Sequence, residues 1–277
     1  MVTLTSVYDS IDYESKSLLK RYKKDLLKIN KLTDFYRNLT DDELKQEAKI
    51  YSENFVFENK KTRINLLAIA REVTYRLLGK FQYDVQVLGA LAALDRNIIQ
   101  MSTGSGKTIT LILPVVLYGL THKGVNVLTV NEYLSERDWK ETKPVYDWFG
   151  LSNAYVSHDM SDVEQRQGFD CDITYSTNST LGFAYLNSAL ASDIGQNIKL
   201  IGRPLHAAII DEVDEILMDD ARNPLIIANS EDIASELLYF TIGDKKYNTL
   251  DVLQQLKQLN FMGYDKDNPN TIVIDDE

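Results

Sequence analysis

Apolar residues return at helical intervals through the first eighty positions of the chain. Tyr8, Ile11, Leu18, Tyr22, Leu26 and Ile29 fall at one spacing with Lys and Arg between them, which predicts an amphipathic helix over residues 8–30. Thr40 and Glu43 have the spacing of a capping box and open a second helix reaching about Phe57. A third runs from Lys61 to Leu78, where Gly79 supplies a stop, and Asp84 to Leu94 reads as a short fourth helix. From there the pattern alternates. Asn97 to Ile99 reads as a short strand, Ile109 to Leu120 as a helix and Val125 to Val130 as a strand. Ser135 to Phe149 follows as a helix interrupted near Pro144, then Ala154 to Val156 as a short strand and Ser161 to Gln167 as a helix. Ile173 to Tyr175 is extended, Ser179 to Leu190 helical, and Ala207 to Ile210 a buried strand. Strands alternating with helices predict an α/β lobe built on a parallel sheet covered on both faces, preceded by N-terminal helices. After Ala228 the chain turns polar. Leu250 to Leu259 (helix) and Thr271 to Ile274 (strand) are its readable elements, too few to complete a domain.

The stretch Asn97 to Thr108, NIIQMSTGSGKT, changes this from a fold reading into a chemical one. A strand, a glycine-containing turn and a helix in that order are the context of a phosphate-binding loop. Gly104 and Gly106 let the backbone wrap with its N–H groups inward, and the helix that follows adds the positive end of its dipole. Lys107 is placed to meet the β- and γ-phosphates, and the Thr108 hydroxyl to ligate Mg2+. The first glycine of the usual pattern falls on Met101, so only the second half of the signature is intact.

Asp211 and Glu212 follow the apolar run Ala207 to Ile210. With the loop upstream, the pattern assigns Asp211 to the metal, through water, and Glu212 to the attacking water as general base. Gln86, 21 residues before Lys107, has an amide suited to the adenine edge. Tyr83 reads either as a stacking partner for the base or as a core aromatic.

Charge narrows the class. The formal net charge is -11, which argues against a general nucleic-acid binder. Residues 1–80 hold 16 Lys+Arg against 12 Asp+Glu, and the remainder 14 against 29. A basic helical start on an acidic body suits either anionic lipid or a solvated helix face. Cys171 is the single cysteine, so an intrachain disulfide or thiolate cluster is excluded and a reducing compartment is expected. His122, His158 and His206 show no ligand spacing. The first thirty residues are charged throughout, and Thr110 to Leu120 is too short to span a bilayer, so a soluble, cytosolic chain is expected.

The blocks YDVQVLGA, QMSTGSGKT, LTVNEYLSERD, ITYSTNSTLGFAYL and AAIIDEVDEILMDDARNPLIIA together resemble the N-terminal part of the SecA family, the ATPase motors of bacterial protein export. The last block is the most specific, and the KIN and LTDDEL stretches are similar to the family's N-terminal helices. The resemblance implies an α/β fold: a RecA-like P-loop lobe over residues 81–228, an N-terminal helical segment over 1–80 packing on it, and at 229–277 the truncated beginning of a preprotein-crosslinking domain. It implies ATP with Mg2+ as cofactors, Gln86 on adenine, Gly104, Ser105, Gly106, Lys107 and Thr108 on phosphate, Thr108 and Asp211 on metal, and Lys107 and Glu212 as catalytic residues. It also implies that Asn131 to Asp138 and Thr174 to Gly182 are helicase-like motifs of the first motor lobe, coupling nucleotide state to movement. Preprotein, a SecY-type membrane channel, anionic lipid and accessory Sec proteins are the implied partners, with no nucleic acid, at the cytoplasmic face of the cell membrane. Ser105 stands where the housekeeping members have Glu, and Ser176 where they have Gly, which resembles the accessory SecA branch. Members continue well past residue 277 into a second motor lobe that supplies arginines to the γ-phosphate. The chain is therefore expected to behave as a fragment, binding ATP or ADP weakly and turning ATP over very slowly. Two other classes fit parts of the pattern: a nucleic-acid helicase lobe and a non-catalytic nucleotide-binding scaffold.

Overall fold

The computed structural model describes residues 13–53, 55–194 and 199–226, and beyond them four short strands. The chain divides after Leu225 into two compact units. The first carries all the chemistry considered above.

It begins with α1 (Tyr13–Arg37), α2 (Asp41–Ser52) and α3 (Lys60–Leu78). Thr40 caps α2 as the sequence predicts: Thr40 Oγ1 accepts the Glu43 N–H at 3.3 Å, and Glu43 Oε2 accepts the Thr40 N–H at 2.8 Å. Capping stabilises such a helix start by about 1 kcal/mol. The helix ends at Ser52, five residues short of the predicted Phe57. Asn59 caps α3 and Gly79, at φ 66°, ends it in the left-handed conformation that glycine adopts without strain.

These helices do not form a separate layer with its own core. Tyr22, Leu26 and Ile29 of α1 share one buried cluster with Leu66, Leu67 and Ile69 of α3 and with Ile112, Leu113 and Val116 further on. Arg71 of α3 is buried at the junction. It donates to the Gln82 carbonyl at 2.8 Å and to Asn30 Oδ1 at 2.5 Å, lies 3.5 Å from Asp84 Oδ1, and stacks over the Phe81 ring. Burial lowers its pKa, with Asp84 opposing that shift. The guanidinium thus fastens the start of α4 (Asp84–Leu94) to α1 and α3.

Then come α5 (Lys107–Gly119), β1 (Val125–Thr129), α6 (Glu132–Trp148), β2 (Asn153–Tyr155), α7 (Asp162–Phe169), β3 (Ile173–Thr177), α8 (Asn178–Ile194) and β4 (Ala207–Ile210). The four strands form one parallel sheet in the order β2-β3-β1-β4. Val127 lies opposite both Tyr175 of β3 and Ile209 of β4. Strands β1 and β3 are buried at every residue, as central strands of a helix-covered parallel sheet must be. The α/β class and the leading helices agree with the sequence reading.

Two of its strands do not. Asn97 to Ile99 joins no sheet: Asn97 turns its amide to the Tyr22 hydroxyl and the Ala92 carbonyl, Arg96 before it has φ 62°, and Ile98 is 84% exposed. A three-residue run whose first member caps the preceding helix has too few free backbone groups to start a ladder. Consequently β4 is an edge strand among the described residues, and only Ile209 in it is buried. The helix at Pro144 is not interrupted either. Proline in a helix interior costs about 3 kcal/mol, but Val145 and Tyr146 beside it are fully buried, each worth about 1.5–3 kcal/mol, and α6 runs on.

In the second unit β5 (Tyr239–Ile242) pairs antiparallel with β6 (Lys245–Asn248), and β7 (Met262–Tyr264) with β8 (Ile272–Ile274). The helix predicted over Leu250 to Leu259 lies outside the described residues. No helix of the described residues is long and apolar enough to cross a membrane.

Candidate nucleotide-type site at the carboxyl ends of the strands

The loop before α5 turns on its two glycines. Gly104 has φ 74° and Gly106 φ 85°. A Cβ at Gly104 would meet nothing within 4 Å, whereas one at Gly106 would stand 2.4 Å from Gln86 Nε2. Gly104 is therefore required by conformation alone, and Gly106 by conformation and by close approach.

That approach has a purpose. Gln86, in the first turn of α4 and 6% exposed, accepts the Tyr83 N–H at 2.8 Å through Oε1 and donates through Nε2 to the Ser105 carbonyl at 2.8 Å. One N–H and one lone pair of the amide remain. Tyr83 itself is 71% exposed, so the core-aromatic reading fails; the ring stands outside because its backbone caps α4.

At the head of α5 the N–H groups of Gly106, Lys107 and Thr108 find no acceptor among the described residues, as the geometry of a helix start requires. The Ser105 hydroxyl is buried beside them, also without a partner. Unused donors at a helix N-terminus fit an anion. The loop therefore passes, on its own geometry, the test for a phosphate group.

The acidic half comes from β4. The Asp211 N–H donates to the Leu128 carbonyl at 2.9 Å, extending the β1–β4 ladder by one residue before the chain turns away. The turn is made at Glu212, whose φ of 51° is left-handed, a conformation that costs a non-glycine residue about 1–2 kcal/mol. It brings the carboxylate over the loop: Lys107 Nζ donates to Glu212 Oε1 at 3.0 Å. The hydrogen bond to Glu212 raises the Lys107 pKa, and the charges of Glu212, Asp211 and Asp214 add to it. Burial raises Asp211, reinforced by the charges of Glu212 and Asp138, while the Glu212 N–H and Lys107 pull it back.

The Thr108 hydroxyl has no contact with Asp211 among the described hydrogen bonds. It donates instead to Asp138 Oδ2 at 3.4 Å. Asp138 is 5% exposed, and Arg137 donates to its other oxygen through Nε at 2.9 Å and Nη2 at 2.7 Å. The sequence reading placed Asp138 at the end of LTVNEYLSERD without a role of its own. The signal was an acidic residue on an otherwise buried helix face, between Ser135 and Thr142. His158, for which sequence showed no ligand spacing, sits between Glu132 and Asp159, with Nδ1 2.7 Å from Glu132 Oε1 and Nε2 3.1 Å from Asp159 Oδ1.

Comparison with known proteins bears on which family built this arrangement. The family model described as SecA DEAD-like domain matches residues 7–254. The chain belongs to the SecA family. A relative, "Protein translocase subunit SecA" of Prochlorococcus marinus (strain MIT 9312), is 42% identical over 219 residues. That match covers 76% of this chain and 23% of the relative, so the chain spans less than a quarter of the SecA protein it matches. All eight residues singled out as a site, Gln86, Gly104, Ser105, Gly106, Lys107, Thr108, Asp211 and Glu212, lie inside the SecA-matched span. The Ser105 and Ser176 hydroxyls are both buried without a partner among the described residues.

Proposed function

We propose that this chain is the nucleotide-binding lobe of a Sec-type export motor, taking ATP with Mg2+ and coupling its hydrolysis to passage of a preprotein through a SecY-type channel. The observation that carries this reading is the contact of Lys107 with Glu212 at 3.0 Å, at the start of a helix whose first N–H groups are unused among the described residues. In this reading Gly104, Ser105, Gly106, Lys107 and Thr108 hold the phosphates, Thr108 and Asp211 hold the metal, and Gln86 turns its remaining N–H and lone pair to adenine. Bound Mg2+ would neutralise phosphate charge. Lys107 is the mobile cation: to meet a phosphate it leaves Glu212, which frees that carboxylate to orient and deprotonate a water.

The three-part division into residues 1–80, 81–228 and 229–277 belongs to the same proposal. So do the accessory branch, suggested by Ser105 and Ser176, contact of the basic N-terminal helices with the channel or anionic lipid, accessory Sec partners, and work at the cytoplasmic face of the membrane. The match covers only 23% of the SecA relative, and slow turnover by these 277 residues alone belongs to the same proposal, since an arginine supplied to the γ-phosphate from elsewhere is worth roughly 10³–10⁵ in rate. Titration of fluorescent ADP with Mg2+ tests the reading: saturable binding abolished by Lys107→Ala supports it, and no binding by the unaltered chain removes it. Several turnovers per second, lost in Lys107→Ala, would instead show that no second lobe is needed. Cosedimentation with anionic vesicles, with and without residues 1–30, tests the lipid contact, and absence of binding by both forms ends that idea.

A further inference from the structure

We propose that Asp138 is a positioning residue for the divalent cation, fixing the Thr108 hydroxyl through Oδ2 and reaching the ion through water. This rests on the nucleotide reading above and extends it to a residue of α6. Adjacent residues on a helix do not face each other. Arg137 and Asp138 nevertheless bond, so the arginine folds back over a carboxylate that points inward rather than both reaching into solvent. The Arg137 Nε and Nη2 N–H groups both go to Oδ1, at 2.9 and 2.7 Å, which leaves Oδ2 with the Thr108 hydroxyl at 3.4 Å as its described partner. A carboxylate buried to 5% exposure is costly unless its charge is compensated. Arg137, with 48% of its side chain exposed, is an incomplete counter-ion for it.

Asp138 and Glu212 thus meet the first two residues of α5, with the charges of Asp211 and Asp214 felt at Lys107, and among the described ion pairs the cations set against Asp138 and Glu212 are Arg137 and Lys107. Moving Lys107 onto a phosphate would leave them with one. A divalent cation restores the balance, and a smaller, strongly hydrated one suits a shell of one hydroxyl and carboxylates held through water. Asp138 is then the group that sets which way the Thr108 hydroxyl points before the ion arrives.

The test is the Mg2+ dependence of fluorescent ADP binding by the whole chain and by Asp138→Asn. The expected result is an increase of about tenfold or more in half-saturating Mg2+, with ADP affinity in the absence of Mg2+ unchanged within about twofold. Equal half-saturating Mg2+ in the two proteins overturns the inference while leaving the nucleotide reading standing. Failure of the unaltered chain to bind ADP at any Mg2+ concentration overturns both. If Asp138→Asn does not fold, Asp138→Glu, which keeps the charge but displaces it, serves in its place. A purely structural Asp138 would give both variants a lower melting temperature and the Mg2+ requirement of the parent.

Discussion

The Lys107 ammonium and the Glu212 carboxylate meet at 3.0 Å although 105 positions separate them in the chain. Both side chains keep partial solvent contact, so the pair contributes no more than about 1 kcal/mol to stability. Its consequence is competition, since Glu212 occupies the charge a phosphate would need. Glu212→Gln is therefore expected to tighten Mg2+-free ADP binding up to about fivefold, and Lys107→Ala to weaken it about tenfold or more. Both should leave the melting temperature within about 3 °C of the parent. Titration and thermal melts decide, and equal weakening by the two variants would show that they do not compete.

The glycines of the loop should differ in tolerance. Gly104→Ala meets open space and carries only the left-handed backbone penalty, about 1–2 kcal/mol. Gly106→Ala carries the same penalty and drives a methyl to within 2.4 Å of Gln86 Nε2, so the Gln86–Ser105 hydrogen bond must break. A further loss of about 1–3 kcal/mol follows from the stranded polar groups. Urea unfolding of both variants measures the gap. A Gly104→Ala variant as unstable as Gly106→Ala would contradict the assignment of Gln86 as the brace of the loop.

Much of this arrangement was legible in the sequence because its causes are local. The helix limits Asp84 and Leu94 were read correctly, and the Thr40–Glu43 box is a matter of spacing. Residues were misplaced where a non-local term wins. Asn97 to Ile99 looks like a strand until the Asn97 amide is seen serving the Tyr22 hydroxyl and the end of α4. Pro144 looks like a break until the burial of Val145 and Tyr146 is weighed against it. Asp138 could be quoted as part of a motif but not placed, because its partner Thr108 lies 30 residues away and on another helix.

Tyr36 offers a test of how the N-terminal helices hold to the rest. Its hydroxyl, buried in α1, donates to Asn65 Oδ1 of α3 at 2.7 Å, and burial raises its pKa well above the ordinary value. Asn65 Nδ2 is already committed to the Lys61 carbonyl at 2.9 Å, so the amide cannot turn to compensate. Tyr36→Phe should therefore cost about 1–3 kcal/mol, by leaving a buried acceptor unmet. Tyr36→Phe combined with Asn65→Leu, which removes both polar ends, should recover part of that loss. Denaturant midpoints at constant m-value are the measurement, and a neutral Tyr36→Phe would mean that Asn65 finds water.

His158 and His206 should pull stability in opposite directions across neutral pH. The hydrogen bond to Glu132 raises the His158 pKa above the ordinary 6.5, with the charges of Glu132 and Asp159 assisting. Burial lowers that of His206, helped by Lys123 and Arg96. For His158 the folded state holds the proton more tightly than the unfolded one. Its contribution is therefore complete below 6.5 and fades as pH rises through the folded value. For His206 the unfolded state takes the proton first, so its folded environment is favoured above 6.5 and stability is lost as pH falls through that value. Glu132→Gln should return His158 towards 6.5 and leave His206 unmoved, because the carboxylate that accepts from Nδ1 at 2.7 Å is gone. Proton NMR titration of the three histidines resolves the two directly. A His158 that titrates at or below 6.5 in the unaltered chain would mean that solvent screens both flanking carboxylates completely, and the linkage of α6 to the segment after β2 would then be independent of pH.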